Sequence, residues 1–159
     1  MLEIQPVDPE FVRVWSRVKA PVAPVKAEEQ KSPRRQEGWE EFLTGKIRAE
    51  LQRARDYRSL GLEAAARESM ARAKKLSAAW FFRSGERYLP LNWGRANRYP
   101  GPGAAIRQLY LGEQLSEQDY LRARDTCGDD TLRQVFDFCA RGCQRARQAL
   151  WNAVEQGGR

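Results

Sequence analysis

The chain of 159 residues contains no histidine, so neither a nucleophile–base pair nor a metal site in it can use an imidazole. Its three cysteines (Cys127, Cys139 and Cys143) are an odd number and form no complete disulfide framework. No apolar run approaches the ~18 residues that a membrane span needs. The first ten residues lack the basic start and apolar stretch of a secretory signal. We therefore expect a cytoplasmic protein that does not contact a membrane.

The charge is strongly positive, with a formal net value of +7. The arginines are spread along every segment and form no dense run, which favours solvated helix faces and internal ion pairs and disfavours nucleic-acid binding. Trp93, Arg95, Arg98 and Tyr99 interleave basic and aromatic side chains, as surfaces that stack nucleic-acid bases do. Packing of this segment against the rest of the protein is the favoured interpretation.

Residues 1–37 differ from the rest because prolines and polar residues interrupt them repeatedly. They are predicted to form an N-terminal arm with one short helix around residues 11–19. In that helix Phe11, Val14, Trp15 and Val18 make an apolar stripe at spacings of three and four. Such a stripe must dock on something, either the main domain or a second copy of the chain, so an arm-exchanged homodimer is one possible assembly.

Residues 38–157 carry four amphipathic helical patterns and no run that alternates with period two. The first starts near Trp39 and ends at Gly61, and the second follows at once. The third covers residues 104–124, and TCGDD then makes a short turn in which Asp129 or Asp130 can cap the fourth. Residues 83–103 have no helical period and form a long connection. The pattern predicts an all-α, antiparallel four-helix bundle with one long crossover loop, the ferritin-like topology.

Two glutamates fall on the predicted inward stripes, where a carboxylate is costly without a partner. Glu50 precedes Tyr57 by seven residues on the first helix, and Glu113 precedes Tyr120 by seven on the third. The usual reason for two such carboxylates in a helical bundle is a di-metal site.

Three local strings carry a resemblance over residues 39–155: FLTGKIRAELQRARDYRSL, ARAKKLSAAWFFRSGERYLP and RQLYLGEQLSEQDYLRA. In this order the chain resembles the ferritin-like, rubrerythrin-type di-iron proteins of bacteria, and the arm string FVRVWSRV is similar to their lead-in. The resemblance implies one Glu ligand from each of the first and third helices and a Glu-x-x-His pair from each of the others. Glu50 and Glu113 match the single glutamates.

The paired ligand positions depart from that pattern, because they fall on Ser69 and Arg72 in the second helix and on Cys143 and Ala146 in the fourth. We therefore predict a degenerate site with no metal and no cofactor, iron or manganese being the alternative. Arg72 lies at the depth of Glu50 and is predicted to pair with one or both glutamates. In the alternative its guanidinium reaches solvent.

The sequence leaves three functions open. The first is a ferritin-like protein that has lost its di-iron centre and serves a structural, scaffolding or binding role, with no catalytic residues. The second is a metal-dependent oxidoreductase of the same family with an unusual site. The third is a basic helical module that binds nucleic acid. Cys139 and Cys143 lie on one helix face and are predicted to be small buried side chains, since no further Cys or His completes a tetrahedral site.

Overall fold

The computed structural model describes residues 33–88 and 94–157, with side chains from Gly38 onward. The arm stripe of Phe11, Val14, Trp15 and Val18 lies outside the described residues, as does Trp93. Within the described ranges the regular structure is entirely helical, which confirms the predicted all-α class. The four helices are α1 (Pro33–Ser59), α2 (Glu63–Ser84), α3 (Pro102–Thr126) and α4 (Asp130–Gly157).

The helix ends follow local signals in the sequence. α1 begins at Pro33, earlier than predicted and within the predicted arm, at a residue whose fixed φ suits the first helical position. It ends at Ser59, two residues before Gly61, which has a left-handed φ of 73°, and the Leu62 amide donates to the Tyr57 carbonyl at 2.9 Å. Asp129 caps α4 as predicted, since its carboxylate accepts the Thr131 amide at 2.8 Å.

The helix directions identify the topology of the unit that begins at Glu41. Short turns make α1 antiparallel to α2 and α3 antiparallel to α4. Lys46 of α1 contacts Asp119 of α3, and Tyr57 of α1 contacts Glu113 of α3. Because the residue numbers rise on one helix as they fall on the other, α1 and α3 are antiparallel as well. The helices therefore run up, down, down and up, and the connection between α2 and α3 must return along the length of the bundle.

The predicted inward stripes form the core. Leu43, Ile47, Leu76, Leu109 and Leu150 are each buried, and the small side chains of α2 and α4 let the helices approach closely. No helix among residues 33–88 and 94–157 has an apolar stretch long enough to cross a bilayer.

Two side chains of α1, Asp56 and Gln52, hold the second half of the crossover against that helix. Asp56 accepts the Asn97 amide at 2.8 Å, the Asn97 side chain at 2.9 Å and the Tyr99 hydroxyl at 3.1 Å. One turn earlier on α1, the Gln52 side chain donates to the Arg95 carbonyl at 3.0 Å. Residues 95–99 therefore follow the surface of α1, and Tyr99 has a packing role there.

Candidate functional site

Two carboxylates and one guanidinium meet at the centre of the bundle. Glu50 of α1, Arg72 of α2 and Glu113 of α3 are all 0% exposed. Each helix carries its residue on the inward stripe, so the helical phase turns the three side chains towards the interior, and the register of the helices brings them to one depth. Burying three charges together is favourable only if each finds partners.

Arg72 makes short contacts with both glutamates. Its Nε donates to Glu50 Oε2 at 2.9 Å, and its Nη2 donates to the two oxygens of Glu113 at 2.8 and 3.0 Å. Nη2 also lies 3.0 Å from the Ser69 hydroxyl oxygen, which accepts a further bond. Sequence reasoning expected Arg72 to pair with one or both glutamates, and the structure places its guanidinium between them.

A second arginine completes the charge balance. Arg53 Nη1 donates to Glu50 Oε1 at 3.1 Å and lies 3.6 Å from Glu113 Oε2. Its Nη2 donates to the Ser116 hydroxyl at 2.8 Å. Two guanidinium groups therefore face two carboxylates, and the buried group of four has no net charge.

Two tyrosines cross-link the carboxylates reciprocally. Tyr57 of α1 donates to Glu113 Oε1 of α3 at 2.6 Å, and Tyr120 of α3 donates to Glu50 Oε1 of α1 at 2.8 Å. The seven-residue Glu–Tyr spacing on both helices has a simple consequence here. On antiparallel helices it places each tyrosine opposite the glutamate of the other helix.

The electrostatics keep Glu50 ionised and the two tyrosines neutral. Burial by itself would raise the pKa of Glu50, but the charges of Arg72 and Arg53 outweigh it and hold that pKa below its usual value. Burial, followed by the neighbouring carboxylates, raises the pKa of Tyr57 and of Tyr120 well above the usual range. Each tyrosine is therefore neutral at neutral pH and acts as a hydrogen-bond donor.

Gly142 of α4 makes room for the long side chain of Arg72. A Cβ atom built at Gly142 would lie 3.1 Å from both Cγ and Cδ of Arg72 and 3.3 Å from its Nη1. Within the described part of the chain, no acceptor forms a hydrogen bond with that Nη1. The Arg72 side chain can therefore pack against α4 because position 142 carries no side chain.

The two α4 positions predicted as former ligands lie in the core next to this network. Cys143 and Ala146 are both fully buried, as is Cys139 one turn earlier. Burial raises the pKa of both the Cys139 and the Cys143 thiol, so neither supplies a thiolate at neutral pH. All three cysteines are free, and these two fill space on α4.

The donor set does not fit the di-metal centre that the resemblance implies. Arg72 is a permanent cation located between the two carboxylates, Ser69 already accepts its Nη2 bond, and Ala146 offers no donor atom. Among residues 33–88 and 94–157, no three Cys, Asp or Glu side chains form a group that could hold a metal ion. A metal at this position would have to displace a guanidinium that makes several charge-assisted bonds.

Sequence reasoning missed three members of the site: Arg53, Ser116 and Gly142. Arg53 follows Glu50 by three residues on one helix face, and that spacing could have identified it. Ser116 follows Glu113 by three residues on one face of α3, and the same spacing could have identified it. No sequence signal marks Gly142, because its role depends on where the Arg72 side chain ends.

Comparisons of the chain with protein-family models, with curated proteins and with solved structures each returned no match.

Proposed function

We propose that this chain is a ferritin-like bundle in which an ion-pair network replaces a di-metal centre, and that its role is structural, scaffolding or binding. The observation that carries the proposal is the Arg72 guanidinium, which contacts both Glu50 and Glu113 at 2.8–3.0 Å. A carboxylate site that a permanent cation already neutralises has little affinity for a divalent ion.

The helix directions support the ferritin-like assignment. An up, down, down, up arrangement needs one connection that returns along the bundle, and this is the single long crossover of ferritin-like folds. The two inward glutamates come from α1 and α3, the helices that supply single glutamate ligands in that family. The positions expected to supply the paired ligands, Ser69 with Arg72 and Cys143 with Ala146, are fully buried.

The direct test is metal content after aerobic loading with iron or manganese. The parent protein should retain neither metal after gel filtration and should develop no visible absorbance. Parent protein that holds two metal ions per chain would contradict the proposal and favour a metal-dependent oxidoreductase with an unusual site.

A restored variant tests the residue assignments. Ser69→Glu, Arg72→His, Cys143→Glu and Ala146→His together complete six ligands with the two native glutamates. This variant should take up about two metal ions per chain. Glu50→Ala in the restored background is the matched control and should abolish uptake. A folded restored variant that binds no metal would show that the assigned positions are wrong.

We also propose that the scaffold assembles as a homodimer through its N-terminal arm, in the cytoplasm. The supporting observation is the apolar stripe that Phe11, Val14, Trp15 and Val18 make in the sequence. Removal of residues 1–20 should lower the sedimentation mass or the melting temperature. An unchanged mass together with an unchanged melting temperature would contradict arm-mediated assembly.

A further inference from the structure

Several arginines on α2, α3 and α4 have carboxylate partners. Arg83 pairs with Asp129 at 3.1 Å, and Arg145 pairs with Glu68 at 2.9 Å. Other arginines that form ion pairs in this part of the bundle are Arg124, Arg133, Arg141 and Arg147. The charge of these six arginines is therefore compensated within the chain.

The surface where the crossover covers α1 carries three exposed arginines that have no such partners in the part of the chain that the structure describes. Arg48, Arg95 and Arg98 are all exposed, and no ion pair within the described residues involves any of them. We call these three residues the crossover face. Their guanidinium groups are available to a partner outside the chain.

The fold brings these three arginines together from distant parts of the sequence. Gln52 donates to the Arg95 carbonyl, and Arg48 lies one helical turn before Gln52 on the same side of α1. Asn97, next to Arg98, is bound to Asp56 one turn after Gln52. The three arginines therefore follow one another along about 12 Å of α1, the eight residues from Arg48 to Asp56 at a rise of about 1.5 Å per residue.

The surroundings of the crossover face contain no exposed carboxylate from the same segments. Residues 44–62 include only two acidic side chains, Glu50 and Asp56, and both are buried. Residues 94–112 include none. These two segments therefore add positive charge to the crossover face and contribute no exposed carboxylate to it.

We propose that the crossover face binds the phosphate backbone of nucleic acid without reading its sequence. Guanidinium groups bind phosphate oxygens in a bidentate manner, and a row of them can follow a chain of phosphates. An acidic protein partner is less well matched, because protein interfaces usually centre on buried aromatic or aliphatic anchors. The exposed large apolar side chains of the described chain (Phe82, Leu111, Leu115, Trp151 and Val154) belong to α2, α3 and α4.

This inference rests on the proposed binding role and names its partner, and it revises the sequence-based expectation that nucleic acid does not bind. Its test is separate from that of the metal-free centre. Metal content reports on Arg72 and the glutamates, whereas phosphate binding reports on three exposed side chains that do not touch them.

The experiment measures binding of the full chain to a fluorescent 20-mer, as duplex and as single strand, over a series of salt concentrations. Three phosphate contacts predict that affinity for the duplex falls about 40-fold between about 50 and 200 mM salt, and affinity for the single strand about 20-fold. Arg95→Gln with Arg98→Gln should reduce the logarithmic salt slope by about 2, as should Arg48→Gln with Arg98→Gln. Arg141→Gln with Arg145→Gln removes the same charge from α4 and is the matched control, which should bind within about twofold of the parent protein.

Loss of binding in the crossover-face variants, with binding retained in the control, supports the proposal for whichever strand form binds. Equal weakening in the control would show a general charge effect and overturn it. Full binding by the crossover-face variants would show that nucleic acid binds elsewhere, for instance at the basic residues before Trp39. That result would also overturn the proposal. Polyglutamate that binds as tightly as either nucleic acid would favour an acidic protein instead.

Discussion

At the bundle centre two arginines face two carboxylates, whereas on the crossover face three arginines face solvent. Arg53 and Arg72 each contact Glu50 and Glu113, and hydroxyl groups occupy further hydrogen-bonding positions of the network. On the crossover face the nearby carboxylate, Asp56, is instead used by neutral donors of the crossover itself. The same residue type therefore stabilises the structure in one place and is left free for a partner in the other.

The largest expected effect comes from comparing the same arginine-to-leucine substitution in the two regions. Arg72→Leu should destabilise the protein by about 3 kcal/mol, because it leaves two buried carboxylates with only Arg53 to neutralise them. Arg98→Leu on the crossover face should change stability by no more than about 0.5 kcal/mol. Urea unfolding followed by circular dichroism measures both.

The rescue experiment separates charge from shape. Adding Glu50→Gln and Glu113→Gln to Arg72→Leu should recover much of the lost stability, because the buried charges then disappear together. If Arg72→Leu alone is as stable as the parent, the guanidinium is solvated in solution and the contrast between the two regions fails.

The second effect concerns high pH. Because the folded pKa values of Tyr57 and Tyr120 are raised above the ordinary value of 10.0, their contribution to stability is complete below pH 10. It is lost as the pH rises towards the folded values, at about 1.4 kcal/mol per pH unit for each tyrosine.

Ultraviolet titration of tyrosinate tests this directly. Urea-denatured protein should ionise all 5 tyrosines near the ordinary pKa, while the folded protein should withhold two until it unfolds. A folded protein that reaches the full denatured amplitude while its helical signal is intact would contradict the buried donor role.

The third effect uses two helical glycines as a matched pair. Gly142→Ala places a methyl group against Arg72 and should cost a net ~1 kcal/mol, since overpacking outweighs the gain in helix propensity. Gly45→Ala meets nothing within 4 Å and should stabilise α1 by about 0.5–1 kcal/mol. Equal shifts of the thermal midpoint in both variants would show that Arg72 moves aside easily.

The smallest effect concerns an ion pair on the surface of the bundle. Arg145 and Glu68 form a half-exposed pair at 2.9 Å. A double-mutant cycle with Arg145→Ala and Glu68→Ala should give a coupling of less than about 1 kcal/mol, weakened further by salt. A coupling as large as that of Arg72 would remove the energetic distinction between the buried and exposed pairs.

Helical periodicity predicted most of the bundle and the inward position of its polar residues. Glu50, Ser69, Arg72 and Glu113 all lie on stripes with a spacing of three and four, and all are buried. This works because the phase of a helix is a local property that the sequence carries directly. The start of α1 was less predictable, since Pro33 suits both an interrupted arm and a first helical turn.

The features that the sequence did not predict depend on segments that meet only in the folded chain. Gly142 matters because a side chain of α2 ends beside it. The crossover face exists because Asp56 and Gln52 bind a segment about forty residues later in the sequence, as the contacts at Asn97 and Arg95 show. Along the sequence these arginines look evenly spread, and only the return of the crossover along α1 concentrates their charge.

The distribution of buried charges between the two hairpins has a consequence for assembly. The α1–α2 hairpin contributes Glu50, Arg53 and Arg72 to the network, a net +1, while the α3–α4 hairpin contributes Glu113, a net −1. Each hairpin alone also has a tyrosine whose glutamate acceptor belongs to the other. Separately produced hairpins are therefore complementary fragments, which should be poorly structured apart and should associate in a single register.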